Sequence, residues 1–283
     1  MNPDPVAASG ALPRPVRRPD GRYAEPVAGW SSPGRLRRLV WLIIVAAAFA
    51  ACLRIAEVDP AALASGLPRL LAWAGTAWPP YLGDLGAFLY RALETVAIAS
   101  VGTAIATVLA FPLAIAMARN VTPGGWIGGP IRWFTNACRA IDTVIFALLF
   151  VAAVGLGPFA GVLGMIVHSV GVIAKLDAEA IETLPPAPLE AAAMTGAARA
   201  KVVRFALLPM ALPSLASSAL YVWEANVRTS TVLGIVGAGG IGIEIKAAID
   251  LLDFQKLLTL CVIVLIMVTA IDQLSAWARR RLQ

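Results

Sequence analysis

Long apolar runs separated by short polar stretches make up most of the chain and set its predicted architecture. A helix that crosses a bilayer needs about 20 consecutive, mostly apolar residues. Six runs meet or approach that length: residues 37–56, 92–118, 133–154, 158–175, 206–227 and 255–276. One such run could be a buried helix of a soluble protein, but six in one chain predict an all-α polytopic membrane protein with six transmembrane helices.

Other segments refine this architecture. Residues 1–34 are rich in Pro and Arg without apolar periodicity, which predicts a disordered cytoplasmic tail before a transmembrane domain of residues 35–283. A signal peptide is the competing interpretation of 37–56, but that run begins late and lacks a convincing cleavage site followed by a soluble domain. Residues 57–82 predict a short amphipathic helix along the outer membrane surface. The run 158–175 is Gly-rich, which suits close packing against a neighbouring helix.

Composition supports a membrane location and charge gives an orientation. The chain is 59% hydrophobic and only 14% charged, too little charge to solvate a globular surface. The net charge of +6 would suggest a nucleic-acid partner in a soluble protein, but here it follows the helix ends. With the N-terminus inside, 16 Lys and Arg side chains lie on the inside against six outside. We therefore expect a multi-pass plasma-membrane protein with both termini cytoplasmic and no nucleic-acid partner.

The inside loop at about 176–205 has more structure than a simple connector needs. Acidic residues form a first short helix, Pro185-Pro186 breaks it, and a second helix opens after Pro188 with Glu190. Alanines crowd the turns around Gly196, so that second helix presents little side-chain bulk. Another protein can therefore approach it closely.

The residues of this loop carry a family resemblance. Glu190-Ala191-Ala192, three residues, Gly196, nine residues, Ala206, one residue and Leu208-Pro209 follow in that order. This resembles the cytoplasmic-loop signature EAA-x3-G-x9-I-x-LP of permease subunits of binding-protein-dependent ABC importers, with Ala206 in place of the commoner Ile. The resemblance implies the ABC type I importer permease fold and a loop that docks on an ATP-binding subunit. The docking residues it implies are Pro188, Glu190, Ala191, Ala192, Gly196 and Pro209.

The chain lacks the sequence features of an enzyme. A nucleotide-hydrolysing P-loop has the form GxxxxGK[ST], and none of the four lysines follows a glycine. The single His168 and the scattered cysteines form no nucleophile–base or metal constellation, so His168 is interpreted as a packing residue and no metal site is expected. We expect no catalytic residue and no cofactor on this chain. ATP and Mg²⁺ are expected on a partner subunit, and a second permease chain is needed because six helices offer half a pathway.

Polar side chains inside apolar runs are costly and therefore tend to be functional. The fifth run and its exit supply a set of candidate substrate-pathway residues: Tyr221, Glu224, Asn226, Arg228, Ser230 and Thr231. Glu224 and Arg228 are four residues apart and can pair across one helical turn, in the outer half of the membrane. A guanidinium and several hydroxyl donors suit a tetrahedral oxyanion, although a purely structural ion pair is an equal alternative. Arg139 and Asp142, near the cytoplasmic end of the third helix, are interpreted as a structural pair.

This segment, the glycines of 237–242 and the stretches 139–142 and 155–162 closely resemble phosphonate-importer permeases, from about residue 85 onward. The resemblance implies import of phosphonate, phosphate or phosphite from an external binding protein, by a permease homodimer with two ATP-binding subunits. The glycines of 237–242 are expected to form a tight turn or packing point rather than a phosphate cradle, because no helix clearly follows them.

Two alternatives remain for the function. One is an ABC permease for a different small solute. The other is an ion-coupled secondary transporter with proton sites at Glu94, Asp142 and Glu224, although no internal repeat is evident.

Overall fold

The computed structural model of the chain describes residues 16–17, 23–24, 33–121 and 125–282. Most of the predicted tail, residues 1–34, therefore lies outside the described residues. Within it, β1 (Val16–Arg17) and β2 (Tyr23–Ala24) pair antiparallel. Contacts divide the chain into two compact units, Met1–Pro68 and Arg69–Gln283.

Helices account for almost all of the described chain. The first unit holds α1 (Pro33–Ile55) and the start of α2 (Pro60–Thr76), within the segment predicted to be amphipathic. The helices that follow are α3 (Leu85–Met117), α4 (Gly125–Ala140), α5 (Thr143–Val154), α6 (Pro158–Glu182), α7 (Pro186–Met194), α8 (Arg199–Val202), α9 (Leu208–Leu233), α10 (Gly242–Asp250) and α11 (Phe254–Leu282). A π-helical turn at Val203–Leu207 joins α8 to α9, and a 3-10 turn at Gly234–Val236 ends α9.

The apolar helices confirm the predicted fold class. Five stretches in the described chain are long and apolar enough to cross a membrane: Arg37–Ile55, Leu85–Met117, Pro158–Glu182, Arg199–Val236 and Phe254–Leu282. A sixth candidate is a bent pair, because Gly128–Ala140 and Thr143–Val154 meet at 87°. The predicted third span, 133–154, is therefore two helices with a corner between them.

Local hydrogen bonds explain this corner. Asp142 caps α5, since its carboxylate accepts from the Val144 backbone N–H at 2.9 Å. His168 Nδ1 lies 2.8 Å from the Ile141 carbonyl oxygen, which can only accept, so the imidazole N–H donates to it. The histidine thus packs α6 against the corner. The predicted Arg139–Asp142 pair is wrong: within the described parts of the chain neither residue forms an ion pair, because they belong to helices on different axes.

Helix α6 is the centre of the second unit and contacts α3, α4, α5 and α9. Its glycines permit this, as the Gly-rich run predicted. A Cβ at Gly164 would lie 2.7 Å from the Ala147 nitrogen of α5, and one at Gly171 would lie 2.6 Å from the Thr135 carbonyl oxygen of α4. Small residues also line the contact with α3, so the core lies between α3, α6 and α9.

Candidate functional site

The coupling segment, defined here as residues 183–207, leaves the end of α6. That helix continues to Glu182 instead of ending at Lys175. Its end is fixed, because Glu182 accepts from the Arg119 backbone N–H at 2.9 Å and Asn120 Nδ2 donates to the Ile181 carbonyl at 2.8 Å. The loop predicted at 176–205 is therefore shorter and starts from an anchored helix.

Helix α7 forms the exposed part of the coupling segment. It begins at Pro186 rather than after Pro188, because first-turn prolines need no N–H partner. None of its residues is buried, and Met194 is 89% exposed. Glu190 faces a cavity of about 280 Å³ that Asn120 and Arg199 also line. The segment thus displays an uncovered face of mostly small residues.

The backbone conformation at position 196, and not close packing by neighbouring atoms, favours a glycine. Its φ is +74°, in the left-handed region that disfavours side chains, and a Cβ there would meet nothing within 4 Å. The glycine turns the chain from α7 towards α8. Beyond it, Pro209 sits in the first turn of α9.

The continuous helix that begins inside the coupling segment, at Arg199, is longer than the hydrocarbon layer of a membrane is thick. Residues Arg199–Val236 form 38 continuous helical residues, about 57 Å at about 1.5 Å per residue, against a hydrocarbon thickness of about 30 Å.

Asn226 fixes the height of the polar segment of α9. Its Nδ2 donates to Thr103 Oγ1 and to Ser169 Oγ, each at 2.8 Å. Those partners lie near the middle of α3 and of α6. This part of α9 therefore lies level with the middle of α3 and of α6, a level that we call mid-height.

Four charged side chains form what we term the mid-height cluster: Glu224, Arg228, Asp272 and Arg279. Glu224 Oε2 lies 2.8 Å from Arg279 Nη2 of α11, and Glu224 Oε1 lies 3.6 Å from Arg228 Nη2. The predicted Glu224–Arg228 pair is thus present. Arg228 Nη2 also lies 3.6 Å from Asp272 Oδ1, so each arginine contacts a carboxylate on the other helix.

Arg228 retains its donors. Its side chain is 58% exposed, and both carboxylate contacts exceed hydrogen-bond distance. Among the residues that the structure describes, its guanidinium makes no hydrogen bond. Five N–H groups therefore remain available for an incoming acceptor.

The six predicted pathway residues lie on different faces of α9. Tyr221 and Arg228 are exposed on one face, two turns apart, and Glu224 is enclosed against α11. Asn226 and Ser230 are buried in contacts with other helices, Ser230 donating to the Thr95 carbonyl at 3.2 Å. Thr231 donates to the Arg228 carbonyl at 2.7 Å within its own helix. Of these six residues, Tyr221 and Arg228 are the exposed ones.

A larger cavity of about 850 Å³ lies at the N-terminal end of α3, between α3, α6 and α10. Arg91, Glu94, Lys246 and Asp250 line it. Arg91 lies 2.8 Å from Glu94 and 3.5 Å from Glu244 of α10, so its charge is compensated. Glu94 and Glu224 are ion-paired and Asp142 caps a helix, so each proton site of the ion-coupled alternative already has a partner.

The glycines of 237–242 form a tight turn, as expected. Gly237, Gly239 and Gly240 have φ between +79° and +88°, and a Cβ at Gly242 would lie 2.3 Å from the Thr231 carbonyl oxygen. The expectation that no helix clearly follows these glycines was wrong, since α10 begins at Gly242. The Ile243 and Glu244 N–H groups at its start donate to the Gly240 and Ile241 carbonyls, and the Ile241 N–H donates to Thr95 Oγ1 at 2.8 Å.

Solved structures share this fold. The methionine ABC transporter MetNI in an inward-facing conformation has a chain that matches with a TM-score of 0.64 at 22% identity, covering 72% of this chain and 99% of that one. An amino acid ABC transporter matches with a TM-score of 0.60 at 15% identity, over 71% and 96% of the two chains. The chain therefore has the fold of an ABC type I importer permease.

Relatives place the chain more closely. Residues 110–283 match the family described as binding-protein-dependent transport system inner membrane component, and the chain belongs to that family of transport components. The putative phosphite transport system permease protein HtxC of Stutzerimonas stutzeri is 48% identical over 241 residues, which cover 85% of this chain and 86% of that protein. The phosphite transport system permease protein PtxC of the same organism is 38% identical, over 84% and 86%. The phosphate-import permease protein PhnE of Mycolicibacterium smegmatis is 42% identical, over 72% and 38%. These matches confirm the resemblance to phosphonate-type permeases.

Two of the four residues of the mid-height cluster, Asp272 and Arg279, were not among the predicted pathway residues. Asp272 is an acidic residue inside the sixth apolar run, which was a usable signal. Arg279 was counted only as an inside charge, and nothing in the sequence showed that it reaches Glu224. Arg91 at the larger cavity and its ion-pair partner Glu244 were likewise not singled out.

Proposed function

We propose that the chain is the membrane subunit of an ATP-driven importer that carries phosphorus oxyanions, namely phosphonate, phosphite or phosphate, from an external binding protein to the cytoplasm. The names of the relatives that match most of its length support this cargo class. A single observation from the structure carries the proposal: Arg228 presents unbonded guanidinium donors on an exposed face at mid-height.

An exposed guanidinium at this depth cannot face lipid without a large cost. We infer that this face of α9 and α11 lines a water-filled pathway that a second copy of the chain closes. Arg228 would bind a tetrahedral oxyanion bidentately, with Tyr221 and Glu224 beside it. The two 3.6 Å carboxylate contacts would hold the arginine in place without occupying its donors.

The coupling segment would connect this pathway to an ATP-binding subunit, one for each permease chain. ATP and Mg²⁺ would bind there, and closure of the ATPase pair would move α7. The movement would pass to α6 and α9, which flank the segment, and would shift the permease between inward-open and outward-open populations. Both termini would lie in the cytoplasm, as the distribution of basic residues favours.

The test is uptake by the complete transporter in proteoliposomes. Phosphite, phosphate and methylphosphonate are supplied separately, each with the binding protein. Arg228→Ala should lower transport of the physiological oxyanion by about 10- to 100-fold, because a hydrogen bond to a charged group contributes about 1.5–3 kcal/mol. Arg228→Lys should recover part of this loss.

Arg280→Ala is the matched control, since Arg280 is an exposed arginine on α11 and takes no part in the cluster. It should transport normally. Normal transport by Arg228→Ala, or a loss explained entirely by a lower amount of assembled transporter, would reject the pathway role. Failure of all three anions with the unmodified transporter would reject the cargo class.

A further inference from the structure

Asp177 of α6 is a buried carboxyl group without an evident role in the pathway. It is 2% exposed and lines a cavity of about 360 Å³ between α3, α6 and α9. Except for Thr107 and Asp177 itself, that cavity is lined by apolar residues. Oδ1 of Asp177 is buried without a hydrogen-bond partner in the described structure.

Two hydroxyl groups near Asp177 donate their protons to backbone carbonyls of their own helices. Asp177 lies beside Ser218 of α9, whose Oγ donates to the Ser214 carbonyl at 3.0 Å. Thr107 Oγ1 donates to the Thr103 carbonyl at 2.8 Å. With its one proton on the Ser214 carbonyl, the Ser218 hydroxyl can only accept a hydrogen bond from Asp177. An ionised carboxylate also only accepts, whereas a protonated carboxyl can donate.

No positive charge compensates Asp177 in the described chain. Between residues 95 and 117, α3 has no ionisable side chain, and α9 has none before the exposed Tyr221. Lys175 of α6 is paired with Glu179 at 2.8 Å. On α4, Arg132 points to Glu182 and Arg139 is exposed, and α5 carries no charged residue. An ionised carboxylate buried without a countercharge is strongly disfavoured.

We propose that Asp177 is an intramembrane proton-binding site, whose protonated carboxyl donates a hydrogen bond to Ser218 Oγ and joins α6 to α9. The carboxyl takes its proton from solvent and keeps it at neutral pH. The site lies five residues before the end of α6, about 8 Å along the helix axis. Because α6 and α9 flank the coupling segment, loss of this proton weakens the contact through which the segment is connected to the bundle.

Infrared spectroscopy tests the protonation directly. The full-length transporter complex is reconstituted in lipid nanodiscs at neutral pH, and the carbonyl stretch of protonated carboxylic acids is recorded. We expect a band in the unmodified protein that disappears in Asp177→Asn, which keeps a donor of the same shape. Asp142→Asn is the matched control, because Asp142 is an exposed aspartate outside the cavity and asparagine also caps helices. It should keep the band.

Function gives a second measurement. The number of anions transported per ATP hydrolysed should fall in the unmodified transporter as pH is raised into the alkaline range, and should stay flat in Asp177→Asn. If the asparagine variant does not assemble, a pH titration of the band in the unmodified protein replaces it, with the band fading only above neutral pH. Absence of a protonated carboxyl band at neutral pH, an equal band in Asp177→Asn, or the same pH profile in both proteins would overturn the proposal.

Discussion

Asn226→Ala removes two hydrogen bonds that join three helices at mid-height. Its Nδ2 bonds Thr103 of α3 and Ser169 of α6, each at 2.8 Å, and the side chain is 4% exposed. Hydrogen bonds between membrane helices contribute about 0.6 kcal/mol on average and about 1.7 kcal/mol at most. Two such bonds predict a loss of about 1–3 kcal/mol in the free energy of unfolding.

A double-mutant cycle isolates each bond. Asn226→Ala is combined in turn with Thr103→Val and with Ser169→Ala, and unfolding is measured by steric trapping in bilayers. Each pair should show a coupling energy of about 0.5–1.5 kcal/mol. Thr229→Val is the control, because in the described part of the chain the Thr229 hydroxyl donates only to the Ala225 carbonyl of its own helix, at 3.1 Å.

The result that would refute this reasoning is coupling near zero for both pairs. Asn226 would then not bridge the helices, and its burial would need another explanation. A second check is transport, since a structural bridge should lower the amount of folded transporter without changing which anion is preferred.

Two glycines give further predictions. Gly196→Asn should keep more transport per ATP hydrolysed than Gly196→Ala, because Asn tolerates the left-handed backbone at φ +74°. Gly196→Trp adds a bulky side chain in open space and should uncouple transport from ATP hydrolysis only if α7 docks on a partner. Full coupling in the Trp variant would therefore contradict docking. Gly171→Ala should lower the free energy of unfolding by about 1–3 kcal/mol, because the added Cβ would lie 2.6 Å from a backbone oxygen. Gly86→Ala is the control, because a Cβ there would meet nothing within 4 Å. Equal free energies of unfolding for the two variants would contradict close helix packing at Gly171.

Length and hydropathy predicted the helices well because a bilayer imposes both on every crossing segment. The corner at Ile141–Asp142 was missed because no Gly or Pro interrupts the run 133–154. A capping signal was nevertheless present at Asp142, directly before Thr143. Boundaries were less predictable, since a helix can continue past its apolar run, as α6 does beyond Lys175.

The sites were predictable where spacing along one helix determines a contact. Glu224 and Arg228 are neighbours on any helix, whereas their contacts with Arg279 and Asp272 depend on how α11 packs. Asp177 was assigned to a loop because the apolar run stops two residues earlier. Its burial follows from the helix face that it shares with Ser169, Ile173 and Ile181, a spacing that continues past the apolar run.

The two arms of the bent third span contact the same face of α6. The first arm, α4, packs against Gly171, and the second arm, α5, packs against Gly164. These two glycines are seven residues apart, which is two turns along α6. Neither arm can swing about the corner without breaking a close backbone contact with α6. We therefore expect the corner not to act as a hinge: both α4 and α5 pack closely against α6, and a tilt of α6 during transport should carry both arms with it.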